Sequence, residues 1–129
     1  MKINVDIKLT RGARVPEYAT SGSAAVDLRA ALEGGSVTIE PRGRARIPTG
    51  ISISSGRDDV VAVIAGRSGL GAKHGISLAN SSEVPFTVND GDRVAQMMFL
   101  PVMHADFCVT DSLDETERGT GGFGSTGVQ

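Results

Sequence analysis

Hydrophobic and polar residues alternate with a period of two along most of this 129-residue chain. From Ile3 to Leu9 every second residue is apolar and the residues between are polar, which is the pattern of a half-buried strand. The alternation recurs in four later pairs: Val37/Ile39, Ala45/Ile47, Ile51/Ile53 and Phe86/Val88. Two denser apolar runs, Val60–Ala65 and Val94–Leu100, are typical of strands buried on both faces.

Turns that contain glycine or proline separate these segments, and no stretch of a dozen residues has helical periodicity. Many short strands at close spacing predict an all-β fold, a jelly-roll-like β-sandwich or barrel. After Val109 the chain becomes acidic and then glycine-rich, with five glycines in Arg118–Gly127. Such a segment buries too little apolar surface to order itself, so we predict one domain over residues 1–110 and a flexible C-terminal arm over residues 111–129.

Composition narrows the function classes. The net charge of −2 and the 4% aromatic content give no general attraction to nucleic acid or to an anionic membrane surface. The apolar runs are too short to span a bilayer. The single cysteine, Cys108, cannot form an internal disulfide, and it lies in an alternating segment where we interpret it as a structural thiol. These features predict a cytoplasmic protein.

The glycine-rich segment has the parts of a phosphate-binding loop. Its glycines let consecutive backbone N–H groups converge on an anion, and Arg118 can bind phosphate oxygens in bidentate fashion. Ser125 and Thr126 add hydroxyl donors, while Phe123 is an aromatic ring suited to covering a flat base. A disordered tail explains the same composition equally well.

Three internal segments also carry candidate chemistry. Arg67-Ser68-Gly69-Leu70-Gly71 follows an apolar run and is either an anion site or a surface turn with a salt-bridged arginine. Asp27 lies within an apolar strand, so it needs a partner such as Arg29 or another arginine, or it holds water molecules of a Mg²⁺ ion. Gly91-Asp92-Arg93 leads into the strand that contains Gln96, and a structural Asp–Arg turn is the simpler explanation for Asp92.

Taken in order, these segments resemble the trimeric dUTPases, the deoxyuridine triphosphate nucleotidohydrolases. The most specific matches are Arg67-Ser68-Gly69-Leu70-Gly71 through His74-Gly75-Ile76, Gly91-Asp92-Arg93-Val94-Ala95-Gln96, and Arg118 through Gly127. The resemblance implies a jelly-roll homotrimer whose active sites are assembled from three subunits. It also implies hydrolysis of dUTP to dUMP and pyrophosphate with Mg²⁺.

The resemblance further implies a role for each matching residue. Asp27 would hold water molecules of the metal, and two residues would contact the base, Asn80 and Phe123. The phosphates would be bound by Arg67, Ser68, Gly69 and Gln96, together with the arm residues Arg118, Gly124, Ser125 and Thr126.

One departure from the family pattern bears on catalysis. After Ser77–Asn80 the family normally has a β-hairpin with the motif Gly-x-Ile-Asp-x-x-Tyr-Arg-Gly, whereas this chain has only residues 81–84 before Pro85. Roughly twenty residues, about two ordinary strands and a turn, are missing. In the family this hairpin carries the general-base aspartate and the sugar-discriminating tyrosine, so the catalytic base is unassigned here, and Glu83 is the one acid in the short link.

With this gap, three hypotheses stand. The protein is either an active dUTP diphosphatase or a catalytically impaired dUTPase-fold protein that binds nucleotide or regulates. A third, weaker hypothesis is a nucleoside triphosphate pyrophosphatase of relaxed specificity that uses another base.

Overall fold

The structure is a computed structural model that describes residues 1–67, 70 and 83–114. Within these residues the chain forms seven strands: β1 (Asp6–Leu9), β2 (Val26–Arg29), β3 (Ser36–Ile39), β4 (Ile51–Ser54), β5 (Val60–Gly66), β6 (Phe86–Asn89) and β7 (Arg93–Pro101). In the same part of the chain, no helix is both long and apolar enough to cross a membrane.

The strands pair in three antiparallel ladders. β1 pairs with β4 and β3 pairs with β6, so each of these ladders has two strands. The third ladder has the order β2-β7-β5, with the nine-residue β7 in its centre. This arrangement agrees with the predicted all-β fold.

Alternating side chains of these strands form two apolar clusters. The first joins β2 to β7 through Val26, Leu28, Ala95 and Met97, and β4 packs against it with Ile51 and Ile53. The second cluster is built on Ala30, Ile39 and Val88. Burial of one large apolar side chain contributes about 1.5–3 kcal/mol, so the first cluster stabilises the β2–β7 pairing and the second stabilises the β3–β6 pair.

Gly50 occupies a tight turn ahead of β4. Its φ of 68° is a left-handed backbone conformation, and its carbonyl oxygen accepts a hydrogen bond of 2.8 Å from the Thr10 N–H. A Cβ at this position would collide with the Thr10 carbonyl oxygen and lie 2.7 Å from the Ala13 Cβ. Only glycine fits both restrictions.

Asp90 joins two turns that are far apart in the sequence, and we call this contact the Asp90 clasp. Its Oδ1 accepts a hydrogen bond of 2.7 Å from the Leu32 N–H and its Oδ2 accepts one of 3.0 Å from the Gly34 N–H. These backbone donors, that of Leu32 first, stabilise the ionised carboxylate and lower the pKa of Asp90 below its ordinary value.

Three sequence-based expectations are wrong in detail. No strand is described at Ala45/Ile47, where Pro48 follows and its carbonyl accepts the Ala31 N–H instead. β5 is not buried on both faces, since Val61 and Ile64 are 41% and 50% exposed; within the described residues it pairs with β7 alone and is an edge strand. Cys108 is exposed in the segment after β7, so it does not pack as a structural thiol.

Candidate functional site

Residues from three distant parts of the chain align across the β2-β7-β5 sheet. Asp27 on β2 lies opposite Gln96 on β7, and Gln96 lies opposite Ala65 on β5. β5 ends at Gly66, so Arg67 directly follows the end of this row. The hydrogen-bonded register therefore brings together Asp27, Arg67 and Gln96, which the family resemblance placed at one site.

The Asp27 carboxylate faces two guanidinium groups. Its Oδ1 lies 3.4 Å from the Arg67 Nε, and its Oδ2 lies 3.6 Å from the Arg93 Nη1. The side chains of Asp27 and Arg67 are each 26% exposed. The half-buried charge of Asp27 is thus compensated by Arg67, which follows the end of β5, and by Arg93 at the start of β7.

Arg29, named from the sequence as a possible partner of Asp27, is not the one observed. Its Nη1 donates a hydrogen bond of 3.0 Å to the Gly91 carbonyl. The β2–β7 register shifts between Leu28 and Arg29, so Arg29 pairs with the beginning of β7 rather than continuing the ladder of Asp27. The sequence did anticipate another arginine as partner.

Gln96 and Arg67 bind the neighbouring backbone. The Gln96 Nε2 donates to the Gly66 carbonyl at 3.1 Å, and the Arg67 Nη1 approaches the Arg93 carbonyl at 3.4 Å. The strand end thus presents cationic and amide donors, which suit a phosphate group.

The donor set also bears on a metal ion. No group of three or more metal-ligating side chains occurs among the residues that the structure describes. A single carboxylate such as Asp27 fits Mg²⁺ nevertheless, because Mg²⁺ keeps several water molecules and is commonly bound through one or two carboxylates plus substrate phosphates.

Two other candidates from the sequence have structural roles. Asp92 accepts a hydrogen bond of 2.9 Å from the Asn89 N–H, which fits its interpretation as a turn residue. Glu83 is ion-paired with the Arg42 Nη2 at 2.5 Å. Both side chains are largely exposed, so Glu83 belongs to a surface ion pair.

The remaining predicted site residues lie outside the described residues: Ser68, Gly69, Asn80, Arg118, Phe123, Gly124, Ser125 and Thr126. Arg93 is the site neighbour that the sequence did not single out for a function. The sequence feature that could have identified Arg93 is its position at the start of β7, directly after an acidic residue and shortly before Gln96.

Comparison with known proteins decides the family. A dUTPase family model matches residues 11–127. The deoxyuridine 5′-triphosphate nucleotidohydrolase of Desulfitobacterium hafniense (strain DSM 10664 / DCB-2) is 44% identical over 141 residues, covering 95% of this chain and 93% of the relative. This chain belongs to the dUTPase family. The corresponding enzyme of Actinobacillus pleuropneumoniae serotype 3 is 42% identical over 149 residues, with 97% of this chain and 98% of the relative covered.

Solved structures give the fold. The dUTPase of Staphylococcus bacteriophage 80alpha with dUpNHpp has a TM-score of 0.78 and 22% identity to this chain, and the match covers 97% of this chain and 99% of that one. The jelly-roll-like all-β fold predicted for this dUTPase is thereby confirmed.

One of these alignments also shows a difference in length. The match to the Actinobacillus enzyme spans 149 positions, whereas this dUTPase has 129 residues. That relative therefore contains residues with no counterpart in this chain.

Proposed function

We propose that this chain hydrolyses dUTP to dUMP and pyrophosphate with Mg²⁺, at sites shared between the subunits of a cytoplasmic homotrimer. Membership of the dUTPase family makes the chain a dUTP diphosphatase. The observation that carries the site assignment is the meeting of Asp27, Arg67 and Gln96 across the central sheet.

The phosphate chain of the substrate would lie at the end of β5. Arg67 is the principal cation there, and the amide of Gln96 lies within reach of the same strand end. Ser68 and Gly69 follow directly in the chain and would add a hydroxyl and a backbone N–H. Water attacks the α-phosphorus through its oxygen, and pyrophosphate departs with the bridging oxygen between the α and β phosphates.

Mg²⁺ would be held through water by Asp27 and directly by phosphate oxygens. When bound, the ion supplies charge neutralisation of the triphosphate. Support for this assignment is the half-buried position of the carboxylate beside the cationic strand end, where its two oxygens face different arginines.

The arm would close over the nucleotide. Arg118, Gly124, Ser125 and Thr126 would bind the phosphates, and Phe123 would cover the base that Asn80 contacts. Closure of such a segment excludes water from the phosphates and strengthens each electrostatic contact.

A homotrimer accounts for apolar surface that a single chain leaves open. The exposed fractions of six large apolar side chains on β5, β7 and the segment after β7 range from 41% to 99%: Val61, Ile64, Leu100, Met103, Phe107 and Val109. Scattered exposed apolar residues are ordinary, but their concentration on β5, the end of β7 and the segment that follows is typical of association surfaces.

A hydrolysis assay tests the function. Purified protein is incubated with Mg²⁺ and, in separate reactions, dUTP, dTTP or UTP, and the monophosphate and pyrophosphate released are measured. We expect turnover of dUTP in preference to the other two. Binding of dUTP without turnover would instead support the impaired-enzyme alternative, which the 42–44% identity to nucleotidohydrolases does not favour. Equal turnover of all three would support relaxed specificity.

A further inference from the structure

Two arginines share the Asp27 carboxylate, and their anchoring differs. Arg93 is the first residue of β7, and its Cα is in register with Arg29 across the β2–β7 ladder. Arg67 follows the last residue of β5 and so lies outside the ladder. The backbone of Arg93 is therefore held by strand pairing on the side of Asp27, whereas that of Arg67 is not.

The contacts of Arg67 leave room for shorter bonds to a ligand. Its Nε lies 3.4 Å from the Asp27 Oδ1 and its Nη1 lies 3.4 Å from the Arg93 carbonyl oxygen. Both distances are longer than the 2.7–2.9 Å that charge-assisted N–H···O bonds usually adopt, and so is the 3.6 Å between the Arg93 Nη1 and the Asp27 Oδ2. The two arginines therefore differ in the anchoring of their backbone and not in the length of their contacts with Asp27. A phosphate oxygen can offer Arg67 shorter bonds than it makes without ligand.

We propose that Arg93 is a positioning residue: it keeps the Asp27 charge compensated while Arg67 transfers from Asp27 to a substrate phosphate. The inference rests on the proposed function and deepens it, since it gives the two arginines at Asp27 different roles. Arg67 moves to the phosphate, and Arg93 stays with the carboxylate. Each partner faces its own oxygen of Asp27, so the transfer of Arg67 leaves the Arg93–Asp27 pair in place.

Electrostatics explains why a second arginine is required. Without Arg93, transfer of Arg67 would leave a half-buried carboxylate unpaired and next to the negative charges of a triphosphate. Removal of one partner from a desolvated ion pair is strongly unfavourable, and like charges repel at this range. Arg93 removes that penalty without needing to touch the nucleotide.

A double-mutant cycle measures this coupling. The probe is dUpNHpp, the imido analogue of dUTP, and its dissociation constant is determined by calorimetry in EDTA so that no metal contributes. We expect Arg93→Gln to weaken binding about tenfold. Asp27→Asn removes the charge that Arg93 compensates, so the Asp27→Asn/Arg93→Gln double variant should bind within about twofold of Asp27→Asn alone.

Arg57→Gln is the matched control. Arg57 is also paired with an aspartate, Asp59, at 2.7 Å, but this pair lies in the loop between β4 and β5. The control loses the same charge, and we expect its affinity for dUpNHpp to equal that of the wild type. If Arg93→Gln does not fold, Arg93→Lys replaces it in the cycle, with an expected loss of about threefold that Asp27→Asn again abolishes.

The outcomes separate this inference from the proposed function. An Arg93→Gln variant that binds like the wild type, or a loss of equal size with and without Asp27→Asn, would overturn the positioning role while dUTP hydrolysis by the wild type stands. A wild-type protein that neither binds dUpNHpp nor hydrolyses dUTP would overturn the proposed function, and this role with it.

Discussion

At the scale of single residues, the properties of the site depend on where a side chain lies relative to the end of a strand. Arg67 stands just beyond β5 and reaches Asp27 across the sheet. The sequence could supply the residue types, an arginine after an apolar run and an acid within one. It could not show that Arg93 is the second partner and Arg29 is not, because a register shift decides that.

Arg67→Lys is expected to lower kcat/KM for dUTP by about 100-fold, as lysine keeps the charge but lacks the planar fork that binds two phosphate oxygens. Steady-state kinetics with dUTP and Mg²⁺ measures this. Arg57→Lys is the control, and its kcat/KM should match the wild type. An Arg67→Lys enzyme with undiminished kcat/KM would mean that Arg67 makes no bidentate phosphate contact.

Gly50→Ala should reduce the free energy of unfolding by about 2–4 kcal/mol, through a left-handed φ combined with steric overlap. Gly56→Ala separates the two effects: Gly56 has a φ of 65° but no atom within 4 Å of its Cβ position. That control should lose only about 1 kcal/mol. Urea denaturation of both variants provides the measurement, and equal losses would refute the steric account of Gly50.

At the scale of elements, the period of two predicted where strands occur better than it predicted whether their side chains are buried. The pairs Val37/Ile39, Ile51/Ile53 and Phe86/Val88 all lie in strands. The Val60–Ala65 run is a strand as well. Its many apolar residues predicted burial on both faces, but β5 is an edge strand and its side chains are partly exposed. Density reports how much apolar surface a strand carries, and neighbouring strands decide whether that surface is covered.

The Asp90 clasp links the turn after β2 to the turn before β7, and it should make stability depend on acid. Because folding lowers the pKa of Asp90, its contribution is present at pH values above the ordinary pKa of 3.8 and is lost as the pH falls through the lowered value. Asp90→Asn should therefore be less stable than the wild type at pH 7, and the difference should shrink in strong acid. Thermal unfolding midpoints measured from pH 7 down to pH 2 test this.

Asp58→Asn serves as the control for the Asp90 variant, since it removes one carboxylate from the loop between β4 and β5. Its midpoints should follow those of the wild type across the range. A constant difference between Asp90→Asn and the wild type at every pH would show that ionisation of Asp90 does not support the clasp.

At the scale of the whole molecule, the proposed trimer predicts a solution mass three times the 13.3 kDa of one chain. Size-exclusion chromatography with light scattering measures it. Ile64→Lys places a charge on the exposed side of β5 and should shift the mass towards that of one chain, whereas Lys8→Ala on β1 should not. An unchanged trimer in Ile64→Lys would show that this side of β5 lies outside the interface.

The central position of β7 also sets the order in which the strands pair while the chain is being synthesised. β2 and β5 both pair with β7, which is complete only when residue 101 has left the ribosome. Until then β2 and β5 have no partner strand and are open to pairing with other chains. Contacts between residues so far apart in sequence form slowly. The residues that meet around Asp27 should thus be among the last to assemble, and nascent chains truncated before β7 should depend on chaperones.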